Sequence, residues 1–94
     1  MPILGLLQLD IFIPESRSLK DKRKVIKSIR ETVRKKFNVS IAETGDHEIW
    51  GKSQLSISKV SNQSDVIRKE LQNIQKDIER RYPLEIVNKV EEVW

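Results

Sequence analysis

The feature that most restricts this chain is its first run, Met1 to Ile13, where Ile3, Leu7, Leu9, Ile11 and Ile13 share one parity. A two-residue period puts those five side chains on one face of an extended strand. The opposite face, with Leu4, Leu6, Gln8, Asp10 and Phe12, is mixed rather than polar. A strand this apolar belongs in the middle of a sheet. Pro14 ends it, because proline has no N–H to give a ladder.

After Pro14 the period changes. Ser18 is placed as a helix N-cap, with Asp21 three residues on to return the bond as in a capping box. Leu19, Ile26, Ile29, Val33 and Phe37 form one apolar stripe and predict a helix running to about Lys36. Asn38 to Glu43 alternates again, with Val39 and Ile41 inward and Ser40 outward. Thr44 to Lys52 holds two glycines and reads as a long hairpin loop. Gln54 to Ser61 is a further strand, with Leu55 and Ile57 inward and Ser56 and Ser58 outward. Ser61, Asn62 and Ser64 compete to cap a second helix, which carries Ile67, Leu71, Ile74 and Ile78 on one stripe and runs to about Arg81. Pro83 lies just past its end. Leu84 to Trp94 is a last strand whose alternation breaks around Val87 and Val90, the mark of a bulge.

The order strand, helix, strand, strand, helix, strand is the split βαβ, or ferredoxin-like, pattern of the α+β class. Right-handed crossovers place the first and third strands at the centre of a four-stranded antiparallel sheet, with both helices on one face. Residues 1–94 are too few for a second core and make one such domain. No apolar run approaches the roughly 18–20 residues of a membrane span, and no basic leader precedes a cleavage site, so no membrane partner is expected. A soluble, cytoplasmic protein is the expectation.

The chain is 34% charged with a net charge of +4, and the placement of that charge matters more than its size. Arg17 to Lys36 holds ten basic residues against Asp21 and Glu31, while the remaining sequence is net acidic. Lys20, Arg23, Lys24, Lys27, Arg30 and Arg34 fall largely opposite the apolar stripe. Cations in the first turns of a helix oppose its dipole, so local stability does not place them there. A one-sided cationic face is a handle for polyanions; the bland alternative is a solvated face that maintains solubility.

Other chemistry is thinly represented. The absence of cysteine removes disulfides, a thiol nucleophile and thiolate metal sites, and a single histidine removes His-rich metal sites. There is no nucleophile elbow and no Gly-rich phosphate loop. The loop of Asp46, His47, Glu48, Ile49 and Trp50, with Glu43 beside it, offers a lone imidazole among carboxylates, which more often face solvent than hold a metal or exchange protons. No cofactor, no metal and no catalytic residue is expected, and a binding role is favoured over an enzymatic one.

The segments SLKDKRKVIKSI, FNVSIAE and LSISKVS resemble the YlxP-like family of small bacterial proteins, a domain of unknown function. The likeness runs along nearly the whole chain. Its most specific pieces are Leu19-Lys20-Asp21-Lys22-Arg23 and Ser40-Ile41-Ala42-Glu43. The resemblance implies a ferredoxin-like domain and a gene neighbourhood beside transcription and translation factors, which hints at RNA or ribosome work. It implies no catalytic residues.

Two functions are therefore expected. In the first, Arg17, Lys20, Lys22, Arg23, Lys24, Lys27, Arg30 and Arg34 contact the phosphates of RNA or of a ribosomal particle. The N–H groups at the helix start, from Ser16 to Arg23, add to that anion site. In the second, Leu4, Leu6 and Phe12 on the uncovered sheet face, with Trp94, form a homodimer or partner interface. Base stacking on that face is not expected, since Gln8, Asp10, Ser40, Ala42, Gln54, Ser56 and Ser58 supply no ring.

Overall fold

A computed structural model describes residues 1–94. Its elements are β1 (Ile3–Phe12), α1 (Leu19–Lys36), β2 (Ser40–Gly45), β3 (Lys52–Ser61), α2 (Ser64–Arg81) and β4 (Glu85–Val93). The sheet order is β2-β3-β1-β4 with every neighbouring pair antiparallel, so β1 and β3 are central. This is the ferredoxin-like arrangement, with the two helices over one side of the sheet.

The odd residues of β1 explain its position. Leu7, Leu9 and Ile11 are buried under the helices, alongside Leu55 and Ile57 of β3 and Ile41 of β2. From above, α1 contributes Ile26, Ile29 and Val33, and α2 contributes Ile67, Leu71, Ile74 and Ile78. With Ile13 these form one 14-residue cluster. Each such side chain contributes about 1.5–3 kcal/mol relative to exposure, so the cluster outweighs the modest propensities of the elements that supply it. Gly5 has a packing reason: a Cβ there would overlap Cγ2 of Ile67, so its bare backbone lets α2 lie close to β1.

The helices are tied at their ends. Asp21 N–H donates to Ser18 Oγ at 3.0 Å, as a cap should. Asp21 Oδ2 accepts from Arg17 N–H at 3.2 Å, one residue earlier than a strict capping box would have it. The Tyr82 hydroxyl at the α2 C-cap lies 2.8 Å from Ser28 Oγ and 3.2 Å from Thr32 Oγ1, joining that end to the middle of α1.

Two details differ from the sequence expectation, and one expected irregularity is found. β2 continues to Gly45, paired with Gln54, and β3 begins at Lys52, paired with Phe12 of β1, which shortens the expected loop to residues 46–51. The α2 N-cap is Gln63, with no side-chain bond; Ser61 Oγ accepts from Gln63 N–H at 3.2 Å and is spent in the preceding turn. The irregularity in β4 is real and lies at Val87: Asp10 pairs with Asn88 but Ile11 pairs with Ile86, leaving Val87 without a partner on β1. No helix is long and apolar enough to cross a membrane.

Candidate nucleic-acid interface

Helix α1 presents its cations away from the sheet. Arg17, Lys20, Arg23, Lys24, Lys27 and Arg34 are exposed and Arg30 is half-buried. Their steps along the chain follow from the amphipathic pattern: with Ile26, Ile29 and Val33 committed to the core, positions 20, 23, 24, 27, 30 and 34 turn outward or to the flank. Among these seven, only Lys27 approaches a carboxylate, Glu31 at 4.0 Å, and both partners of that pair are well solvated. Arg34 Nη2 donates to the carbonyl of Ile41 on β2 at 3.2 Å.

Lys22 departs from the expected set. It is fully buried and cannot touch a ligand's phosphate. Its Nζ donates to the carbonyls of Asp46 (2.5 Å), His47 (3.1 Å) and Lys52 (3.0 Å), and lies 3.1 Å from Glu43 Oε2. Ser53 Oγ donates to the same carboxylate oxygen at 2.6 Å. An ammonium with four acceptors around it is well matched to burial, which would otherwise be costly for a cation. The sequence held the clue: Leu19, Lys22, Ile26, Ile29 and Val33 follow one 3-4-3-4 spacing, so Lys22 sits in the apolar stripe itself.

That contact organises the short loop 46–51. Its backbone turns inward: Ser16 Oγ donates to the Trp50 carbonyl at 2.6 Å, and Ile13 N–H donates to the Gly51 carbonyl at 2.9 Å. Its side chains point out, with Asp46, His47, Glu48, Ile49 and Trp50 all exposed. Asp46 has φ 59°, a left-handed geometry that Asp tolerates better than most residues. His47 Nε2 lies 3.1 Å from the Glu43 carbonyl. No three His, Asp or Glu side chains gather in a geometry that would hold a metal ion.

At the C-terminal end of α1, Lys36 is engaged with α2. Its Nζ reaches Asp77 Oδ1 at 2.9 Å, and Asp77 also receives Arg80 Nη2 at 2.5 Å and Arg81 Nε at 3.0 Å. Burial pushes the Asp77 carboxyl up, but the hydrogen bonds and charges of Lys36 and Arg81 together hold it below the usual carboxylate range. Lys36 is thus drawn toward a carboxylate, unlike the exposed Arg17, Lys20, Arg23 and Lys24 nearer the start of the helix.

The open sheet face is built in cross-strand rows. At one end Val60, Leu4 and Trp94 lie side by side on β3, β1 and the residue after β4, exposed by 65%, 44% and 60%. Leu6, half-buried, is in the next row between Ser58 and Glu92. The middle is polar: Gln54 Nε2 and Asn88 Nδ2 donate to Asp10 at 3.1 and 3.3 Å, and Thr44 Oγ1 donates to Gln54 Oε1 at 3.0 Å. Phe12 stands at the far end, roughly 26 Å from Leu4 along β1, and does not join the Leu4–Leu6 patch.

Comparison with known proteins decides the family. Residues 4–90 match the model of a family described as protein of unknown function (DUF503). The chain belongs to the DUF503 family. It is 38% identical over 72 residues to the uncharacterized protein YlxP of Bacillus subtilis (strain 168), covering 77% of this chain and 78% of that one. Membership agrees with the YlxP-like resemblance carried by the Leu19–Arg23 and Ser40–Glu43 segments. Two solved structures share the fold at low identity. One, described as structural genomics protein YJCS, is 10% identical with a TM-score of 0.50, over 95% of this chain and 96% of that one. The other, the de novo designed protein Foldit4, is 16% identical with a TM-score of 0.50, over 100% of this chain and 94% of its own.

Proposed function

We propose that this DUF503 protein is a binding module that docks RNA, free or within a ribosomal particle, on the outward face of α1. The observation that carries the reading is the lack of internal carboxylate partners: of Arg17, Lys20, Arg23, Lys24, Lys27, Arg30 and Arg34, only Lys27 faces one, in solvent. Unpaired cations along a single helix neutralise successive phosphates and release their counterions. The contacts are to backbone charge and shape, so the sequence preference is weak.

The test is a fluorescence-anisotropy titration of structured RNA over a series of salt concentrations. Engagement of four or five phosphates gives a slope of log K against log salt of about −3 to −4. Simultaneous reversal of Lys20, Arg23, Lys24 and Lys27 to Glu abolishes binding while leaving the circular dichroism spectrum unchanged. Equal affinity of that variant and the wild type removes the reading.

A second reading is favoured by the Val60–Leu4–Trp94 row, an apolar strip left in water at one end of the sheet. We propose that a second copy of this chain covers it. Sedimentation at high micromolar concentration is expected to give the dimer mass for wild type and the monomer mass for Leu6→Asp. A wild-type monomer under those conditions disposes of this alternative.

A further inference from the structure

Between α1 and β2 lies a groove of about 420 Å³, within the roughly 300–1,000 Å³ range of small-ligand sites. Four cations line it, Arg23, Lys27, Arg30 and Arg34, at steps that bring them to one flank of the helix. Two carboxylates also border it, and neither cancels them. Glu43 is already engaged by the buried Lys22 and Ser53, and Glu31 lies 4.0 Å from Lys27 in solvent.

Arg30 is the unusual member. Its Nε is buried and has no hydrogen-bond partner, while Arg34 at the same groove already uses one nitrogen on the Ile41 carbonyl. A buried guanidinium donor without an acceptor is unfavourable, and an anion that draws the Arg30 side chain toward the groove would satisfy it. Arginine's planar fork suits a phosphoryl group, whose oxygens can accept two parallel bonds.

We propose that this groove seats one phosphate group, with Arg30 as its anchor and Arg23 and Arg34 closing on either side. The inference rests on the RNA reading above and deepens it: within a diffuse cationic face there is one defined phosphate position. The same chemistry would accept a backbone phosphodiester or free phosphate.

Two ligands separate these sources: inorganic phosphate, and a ten-nucleotide oligouridylate with hydroxyl ends. The direct readout is the Arg30 Nε–Hε NMR resonance, expected to move and saturate with the oligouridylate, together with those of Arg23 and Arg34. Saturation by inorganic phosphate alone, with no response to the oligouridylate, assigns the seat to free phosphate and overturns the RNA reading but not the groove. Arg30→Lys keeps the charge and removes the fork, and is expected to weaken oligouridylate binding about fivefold to tenfold. Arg68→Lys on α2, outside the groove, leaves it unchanged. If Arg30→Lys binds as tightly as wild type while the four-residue Glu variant does not bind, the groove inference falls and the RNA reading stands. An Arg30 resonance that neither ligand moves also ends the inference.

Discussion

Lys22 Nζ sits 3.1 Å from Glu43 Oε2, linking the first turns of α1 to β2 beneath the loop that joins β2 and β3. The lysine is wholly enclosed and the glutamate nearly so, and three backbone carbonyls complete the ammonium's shell. Removing one side of such a pair strands the other in a low dielectric, whereas removing both is far milder. Lys22→Met is therefore expected to lower the unfolding free energy by about 3–5 kcal/mol in urea titrations, and Lys22→Met with Glu43→Leu to regain a large part of it. A single variant as stable as wild type would show that the pair contributes nothing to the fold.

Asp77 makes stability depend on acid. Its carboxyl is held below the ordinary range in the folded state, so the folded protein binds fewer protons there than the unfolded chain. The contribution is complete above about pH 4–5 and declines as pH falls through the folded value. Asp77→Asn should flatten the fall in melting temperature below about pH 4 while lowering it at neutral pH. A variant whose curve runs parallel to wild type through the acid range would contradict this.

Gly5 gives a steric test. A methyl at this position meets Cγ2 of Ile67, a branch that cannot swing aside, with Leu71 Cδ1 close by. Gly5→Ala is expected to destabilise by about 1–3 kcal/mol. The same substitution made in an Ile67→Ala background should do less harm, and a double-mutant cycle measures the difference. Strict additivity would mean that α2 shifts freely away from β1.

The Tyr82 hydroxyl is the polar tie between the end of α2 and the side of α1. Tyr82→Phe keeps the ring against the core and deletes both bonds, so the expected loss is about 0.5–1.5 kcal/mol. Amide hydrogen exchange should quicken at the last turn of α2 more than elsewhere. Uniform protection across both proteins would argue that the hydroxyl bonds only water in solution.

Period alone made the architecture legible: the parity of Leu7, Leu9 and Ile11 and the stripe of Ile26, Ile29 and Val33 are local signals that the tertiary core reinforces. The bulge at Val87 was legible for the same reason, as a break in parity. Lys22 was misassigned because its charge outweighed its position; its partners are the Glu43 carboxylate and carbonyls 24 to 30 residues away, and no local pattern records them. The α2 cap was misjudged because three hydroxyl and amide residues lie within four positions and each can bond the backbone in more than one way. Phe12 was grouped with Leu4 and Leu6 by parity, which reports a face and not a distance along it.

The chain of bonds from Asn88 through Asp10 and Gln54 to Thr44 crosses all four strands of the open face. Anything laid across this surface therefore meets greasy ends separated by a wet waist. A flat hydrophobic cover would have to strip water from a carboxylate already shared by two amides, so close apposition is confined to the Leu4 end, with the centre left hydrated.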